Sequence, residues 1–222
     1  MEELILPLST RRPEVETHAT LTSEIAEKIA PLASTHGRIA IAIAGPPGSG
    51  KSSMAATLCA YLGQASCAIP MDGFHLDNRI LEERGLLQVK GAAKTFDRQG
   101  FATLAAALIE GRARHFPTFD RGQDKVIEAG GEVPETASIL VFEGNYLLFD
   151  VPGWADLVSL WDASIWLEVP EEVLERRLIQ RWRDNGLSKE QAIARANEND
   201  LVNAREICRN ALPATWVLNQ EE

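Results

Sequence analysis

Nothing in this 222-residue chain is apolar for the ~18 to 20 consecutive residues that a bilayer span requires. The opening "MEELILPLST" also lacks the basic start and long apolar core of a signal peptide. A cytoplasmic protein with no membrane partner is expected. Cys59, Cys67 and Cys208 are three in number and irregularly spaced, with no CxxC and no adjacent histidine. That pattern argues against a disulfide framework or a cysteine-based metal centre, and it leaves buried reduced thiols. Positive charge is short as well. Against 22 Lys and Arg stand 32 Asp and Glu, for a formal net charge of −10, so nucleic acid would be repelled at long range. Low-complexity blocks and internal repeats are missing. A composition that is 45% apolar and 24% charged therefore points to one well-buried domain.

What is present is a strand and helix alternation. Residues 1–20 carry no period and read as an N-terminal arm, and residues 21–222 read as the single domain. Leu21, Ile25, Ile29 and Leu32 recur at helical spacing up to "THG". "RIAIAIAG" is a nearly all-apolar strand of the central parallel kind. "SCAIPM", "SILVFEG", "ASIWLEV" and "ATWVLN" supply four more. Helical patterns separate them: Met54, Leu58 and Leu62, then Phe101, Leu104 and Leu108 ahead of Gly111. This alternation predicts an α/β fold built of βαβ units. The segment from Glu171 places Leu174, Leu178 and Trp182 on one face and breaks at "DNG". A further helix opens with Ser188 and Gln191 in capping-box spacing. Residues 73–138 are too long for a simple crossover and read as an insert, within which "VIEAGGEV" resembles a hairpin.

"GPPGSGKS", Gly45 to Ser52, satisfies GxxxxGK[ST] directly after a strand and before a helix. Gly45, Gly48, Ser49 and Gly50 allow the backbone to curl so that its N–H groups face an anion, and the helix N-terminus adds its positive end. Lys51 can reach the β- and γ-phosphates, and the Ser52 hydroxyl can ligate Mg²⁺. A nucleotide, ATP, with Mg²⁺ is the expected ligand pair.

Other signatures are absent. There is no NKxD for guanine, no LSGGQ-like segment and no strand ending in Asp-Glu, which argues against GTPases, ABC-type ATPases and remodelling ATPases. Instead "ILVFEGNYLL" ends an apolar strand in Glu143, and a carboxylate beside the phosphate loop can hold the waters of Mg²⁺ or bear on the transferring phosphoryl group. The crowded "IPMDGFHLDN" ends another strand in Asp72, after which Gly73 is expected to let the chain turn sharply.

Together with "KGAAKTFD", "PTFD" and the arginine-rich "ERRLIQRWRDNG", these segments resemble the uridine kinase, phosphoribulokinase and bacterial pantothenate kinase group of P-loop kinases, over residues 20–218. The likeness is greatest to a bacterial nucleoside/nucleotide-kinase-like set that includes kinases ascribed to fructose transport systems. It implies a five-stranded parallel sheet in order 2-3-1-4-5, sandwiched by helices, with a lid over residues 171–200 and an acceptor site in the insert. It implies transfer of the γ-phosphate to a hydroxyl of a small molecule, with a sugar favoured and a nucleoside or pantothenate-like acceptor next. Asp72 becomes the candidate base, with a possible second task at Mg²⁺. Phe74, His75, Asp120 and Arg121 become candidate acceptor contacts, His75 being taken as exposed in its loop. One of Lys90, Lys94 and Arg98 is expected near the acceptor or the phosphates. Arg177, Arg181 and Arg183 match the arginines of the lid, whose guanidinium forks neutralise phosphate charge. Asp77 and Asn78 are read as caps of a helix through "RILEERG". No histidine follows "PTFDRG" where uridine kinases read the base, which favours a sugar. An ATP-sensing regulator without turnover is the alternative of another class. A monomer or homodimer is expected, and Asn199, Asp200 and Asn203 in "ENDLVNA" carry no derived role.

Overall fold

The computed structural model describes residues 18–220, so the expected arm lies outside the described residues, apart from its last three, which already belong to the first helix. Strand β1, Ile39–Ala44, is buried at every position. Its alternation sends alanines to one face and isoleucines to the other. Ile39, Ile41 and Ile43 pack under helix α1, His18–His36, and helix α2, Lys51–Leu62, against Ile29, Met54 and Leu58. On the opposite face the small Ala40, Ala42 and Ala44 leave room for Phe101, Phe142, Tyr146 and Trp154. Each fully buried side chain of this size contributes roughly 1.5–3 kcal/mol.

Strand β2 is Ser66–Pro70. Helix α3, Asn78–Glu83, and helix α4, Arg98–Ile109, precede a hairpin of β3, His115–Asp120, and β4, Lys125–Glu132. Strands β5, Ile139–Gly144, β6, Ala163–Glu168, and β7, Trp216–Asn219, complete the sheets. The order of the main sheet is β2-β5-β1-β6-β7, all parallel, which is the order that the resemblance implied. Between β6 and β7 lie α5, Glu171–Asp184, α6, Lys189–Arg195, and α7, Leu201–Arg209. They share a separate core of Val173, Leu174, Leu178, Ala196 and Leu201. The Ser188 and Gln191 capping box forms as expected, and Asp77 caps α3 by accepting from the Arg79 N–H at 2.9 Å. Among the described residues, no helix is long and apolar enough to cross a membrane.

Two local expectations need correction. "VIEAGGEV" is not itself a hairpin but lies within and just beyond one strand, β4. The fold-back comes earlier, where Asp120 pairs with Lys125 and Asp124 takes a left-handed φ of 49°. Gly73 was expected to permit a sharp turn. Its φ is not positive, and what it provides is space: a Cβ there would stand 2.1 Å from the Pro117 carbonyl oxygen of β3. Gly73→Ala should therefore push the hairpin off the strand end at a cost of about 1–3 kcal/mol, read as a lower urea midpoint.

Candidate active site

The register of the sheet assembles the phosphate side. Glu143, next to last in β5, lies level with Ile43 of β1 and Pro70 of β2, so its carboxylate stands between the two strand ends that lead into the phosphate loop and into Asp72. It is 9% exposed and accepts a 2.8 Å hydrogen bond from the Ser52 hydroxyl. Burial pushes its carboxyl above the usual range and the charge of Asp72 adds to this, while Lys51 and the Ser52 bond pull it back. A hydroxyl and a carboxylate are hard oxygen donors of the kind Mg²⁺ takes. Among the described residues no cluster of three or more His, Cys, Asp or Glu gathers, which suits an ion that draws most of its ligands from phosphate and water. Ser52 and Glu143 thus fit Mg²⁺, with Asp72 within electrostatic reach of Glu143.

Gly50, at φ 87°, lets α2 start abruptly at Lys51 and offers no side-chain cap, leaving the first-turn amides for an anion. Lys51 folds back, donating to the Pro46 carbonyl at 2.8 Å and reaching the Ser49 hydroxyl at 3.4 Å. Burial pushes its ammonium down to about 8, with Glu143 and then Asp72 opposing the fall.

Asp72 does not end β2 itself. It sits in the 3₁₀ turn Met71–Phe74 just beyond it, where Arg121 from the hairpin turn donates to its Oδ2 at 2.5 Å. His75 is not the exposed loop histidine expected. Its ring stacks on Phe96 at 4.1 Å and leans on Phe119 at 4.8 Å, and its Nδ1 is buried with no partner among the described residues. Burial lowers its pKa to about 4 against the pull of Asp72, so the imidazole is neutral at physiological pH. Phe74 is half-buried: it meets Phe101 edge to face at 5.2 Å against the core and also lines the cleft beside His75. Asp120 is likewise spent locally: its Oδ1 accepts from the Gly122 and Gln123 N–H groups at 2.9 Å, and these bonds, with that from the Gln123 side chain, hold its carboxyl below the usual range.

Of the three cations considered near "GAAKTFD", Lys90 is the one at the site. Its ammonium donates to Asn78 Oδ1 at 2.7 Å and Asp124 Oδ1 at 2.8 Å and lies 4.9 Å over the Phe119 ring. Asn78 is therefore a cross-link to the hairpin rather than a cap. Lys94 is exposed, and Arg98 donates to the Gly153 carbonyl at 2.8 Å. Phe96, Phe119 and Asp124 went unnoticed in the sequence. The aromatics of the two "TFD" segments were the available signal. A cleft of about 410 Å³ opens on the other side of His75, towards Gly100, Leu104 and Val126, but Lys51, Asp72 and Glu143 do not line it, so the chemistry is not there.

On α5, Arg177 donates to the Gly48 carbonyl at 3.3 Å and to Gln220 at 3.1 Å, directly on the phosphate loop. Arg181, one turn on, is half-buried; desolvation lowers its pKa, and Arg121 across the cleft lowers it further. Arg183 is exposed and stands about 200° round the helix from Arg181 at 3.6 residues per turn, so it does not share the face that the other two present.

The family described as "Phosphoribulokinase / Uridine kinase family" matches residues 40–200. The chain is 33% identical over 233 residues to "Putative uridine kinase C227.14" of Schizosaccharomyces pombe (strain 972 / ATCC 24843), covering 97% of this chain and 95% of that protein. It is 31% identical over 154 residues to the pantothenate kinase of Serratia proteamaculans (strain 568), covering 64% of this chain and 49% of that protein. The crystal structure of a "putative fructose transport system kinase" from Silicibacter sp. TM1040 superposes with a TM-score of 0.84 at 47% identity, covering 89% of this chain and 98% of that one.

The protonated form of Lys51 is the one that attracts phosphate, and the free protein loses that proton above about 8. ATP affinity measured by calorimetry should therefore fall as pH rises beyond that value, by up to about tenfold per unit, and Lys51→Ala should weaken binding at every pH. The ring protons of His75 should show no NMR titration between pH 5 and 8, because its transition lies near 4.

Proposed function

Since the chain belongs to the phosphoribulokinase/uridine kinase family, a group of P-loop kinases, we propose that it transfers the γ-phosphoryl group of ATP, with Mg²⁺, to a hydroxyl of a small metabolite, a sugar in the first instance. The observation that carries this reading is the position of Asp72. It lies within electrostatic reach of Lys51 and Glu143 on the phosphate side, and one turn of chain from His75 on the other. A carboxylate there can accept the proton of an attacking hydroxyl late in a loose transition state.

The remaining residues mainly position and neutralise, which is most of what phosphoryl transfer asks of a protein. Lys51 and the α2 amides hold the β- and γ-phosphates. Ser52 and Glu143 are the residues that would hold Mg²⁺, which would supply further neutralisation of phosphate charge. Arg177 and Arg181 close the phosphate side from α5, and exclusion of water there favours the acceptor over hydrolysis. Arg121 fixes the Asp72 carboxylate from the hairpin. A sugar suits the opposite wall. The neutral imidazole of His75 offers Nδ1 to a hydroxyl, while the faces of Phe96 and Phe119 beside it suit the C–H edges of a ring. The net charge of −10 supports a cytoplasmic enzyme acting on small molecules rather than on nucleic acid or membrane.

Asp72→Asn should leave ATP affinity near that of the parent and cut turnover by about a hundredfold to ten-thousandfold. A panel of neutral sugars, nucleosides and pantothenate, scored by ADP release, should show turnover with a sugar. Turnover with none would favour the ATP-sensing alternative, and near-normal rates in Asp72→Asn would remove the base.

A further inference from the structure

The stretch "ENDLVNA" folds as a widened π turn, Ala196–Asp200, that runs into α7. Such turns insert one extra residue into a helix and recur at functional positions. Here the polar side chains point inward: Asn199, Asp200 and Asn203 are 4%, 7% and 6% exposed. Asn199 has an evident structural task, since its Nδ2 donates to the Lys90 carbonyl at 3.0 Å, beside the Gly91 carbonyl that the Tyr146 hydroxyl holds at 2.7 Å.

Asp200 poses a different question. A carboxylate taken out of water is costly unless cations and donors surround it. Its Oδ2 accepts from the Trp182 indole N–H at 2.6 Å, and the cations facing it are Arg181 and Arg195. The same indole is flanked by the guanidinium carbons of Arg181 at 5.5 Å and Arg195 at 5.3 Å. These arginines are held differently. Arg195 donates to the Gln88 carbonyl at 2.8 Å. The Arg181 side chain has no hydrogen bond or ion pair among the described residues. The charges that attract it are Asp200 and, less strongly, Asp72, while Arg121 and Arg195 repel it.

We infer that Asp200 is a positioning residue for phosphoryl transfer: by its charge, and through the indole it fixes, it holds the Arg181 guanidinium towards Asp72 and the phosphate loop. The inference rests on the kinase reading, which gives Arg181 a phosphate to meet. Without the carboxylate, two guanidiniums flank one indole with no counter-charge between them, and Arg181 turns out to solvent.

The test is a double-mutant cycle in the full chain, read in two ways. Calorimetry gives ATP affinity and needs no acceptor; ADP release with a turnover-supporting acceptor gives kcat and both KM values. Asp200→Asn keeps an oxygen for the indole and removes only the charge. It should lower ATP affinity by roughly tenfold and kcat by about ten- to a hundredfold, with acceptor KM within about twofold, the scale of losing a positioned group. In an Arg181→Ala background it should add less than about twofold to either. A lowered melting temperature with ATP affinity and kcat unchanged would mean a structural role only and overturn the inference, as would a full additional loss on top of Arg181→Ala. If Arg181→Ala alone matches the parent, the inference and the assignment of Arg181 to the phosphates both fall. If Arg181→Ala is impaired and Asp200→Asn is not, the inference alone falls. Should Asp200→Asn not fold, Trp182→Phe removes the donor that orients the carboxylate. It should lower ATP affinity in the parent and not in Arg181→Ala, and no loss in the parent overturns the inference.

Discussion

Charge withdrawn from water at the carboxyl edge of one sheet is the constraint around which the rest of the molecule is arranged. Lys51 and Glu143 are both buried, and Asp72 stands within electrostatic reach of each. None of these would be tolerable alone, since an uncompensated buried charge costs several kcal/mol. Their mutual attraction, the Ser52 hydroxyl and the Pro46 carbonyl meet part of that cost. Burial is the largest cause of the shift of both Lys51 and Glu143, with their mutual attraction opposing it in each. The insertion of β5 between β1 and β2 creates this arrangement, because it sets a glutamate level with two strand ends that are far apart in sequence.

From that edge the structure divides the work between two sides that remain physically tied. The phosphate side takes Arg177 directly to the loop. The other side holds His75 against Phe96 and Phe119, beside the Lys90, Asn78 and Asp124 cross-link. Asn199 and Arg195, from the helices after α5, reach the carbonyls of Lys90 and Gln88. The helices after α5 are thereby tied to the segment that carries Lys90.

Features with a local cause could be read in the sequence. The strands of the main sheet, the phosphate loop, the Ser188 capping box and the cap at Asp77 each follow from a few neighbouring residues, and the structure contains them all. The misreadings concern side chains whose surroundings come from elsewhere. The Nδ1 of His75 is buried, its ring packed against Phe96 and Phe119 from two other segments, which no local pattern around "MDGFHLDN" reveals. Phe74 turns to the core because α4 places Phe101 against it. Other cases held a usable local signal. Asp120 lies two and three residues ahead of the amides it accepts from, an ordinary Asx turn, and Arg183 is excluded from the face of Arg181 by helical geometry alone. The inward turn of Asn199 and Asp200 was not legible, since a π turn breaks the very period by which a helix face is judged.

The β3–β4 hairpin forms a two-stranded sheet of its own, outside the five-stranded one. It nevertheless contributes Phe119, Arg121 and Asp124, which contact His75, Asp72 and Lys90 respectively. The edge of the main sheet is therefore braced by a ribbon with which it shares no strand pairing. Because Arg121 of that ribbon grips Asp72, exchanging the hairpin would also release the carboxylate that stands within reach of Lys51 and Glu143.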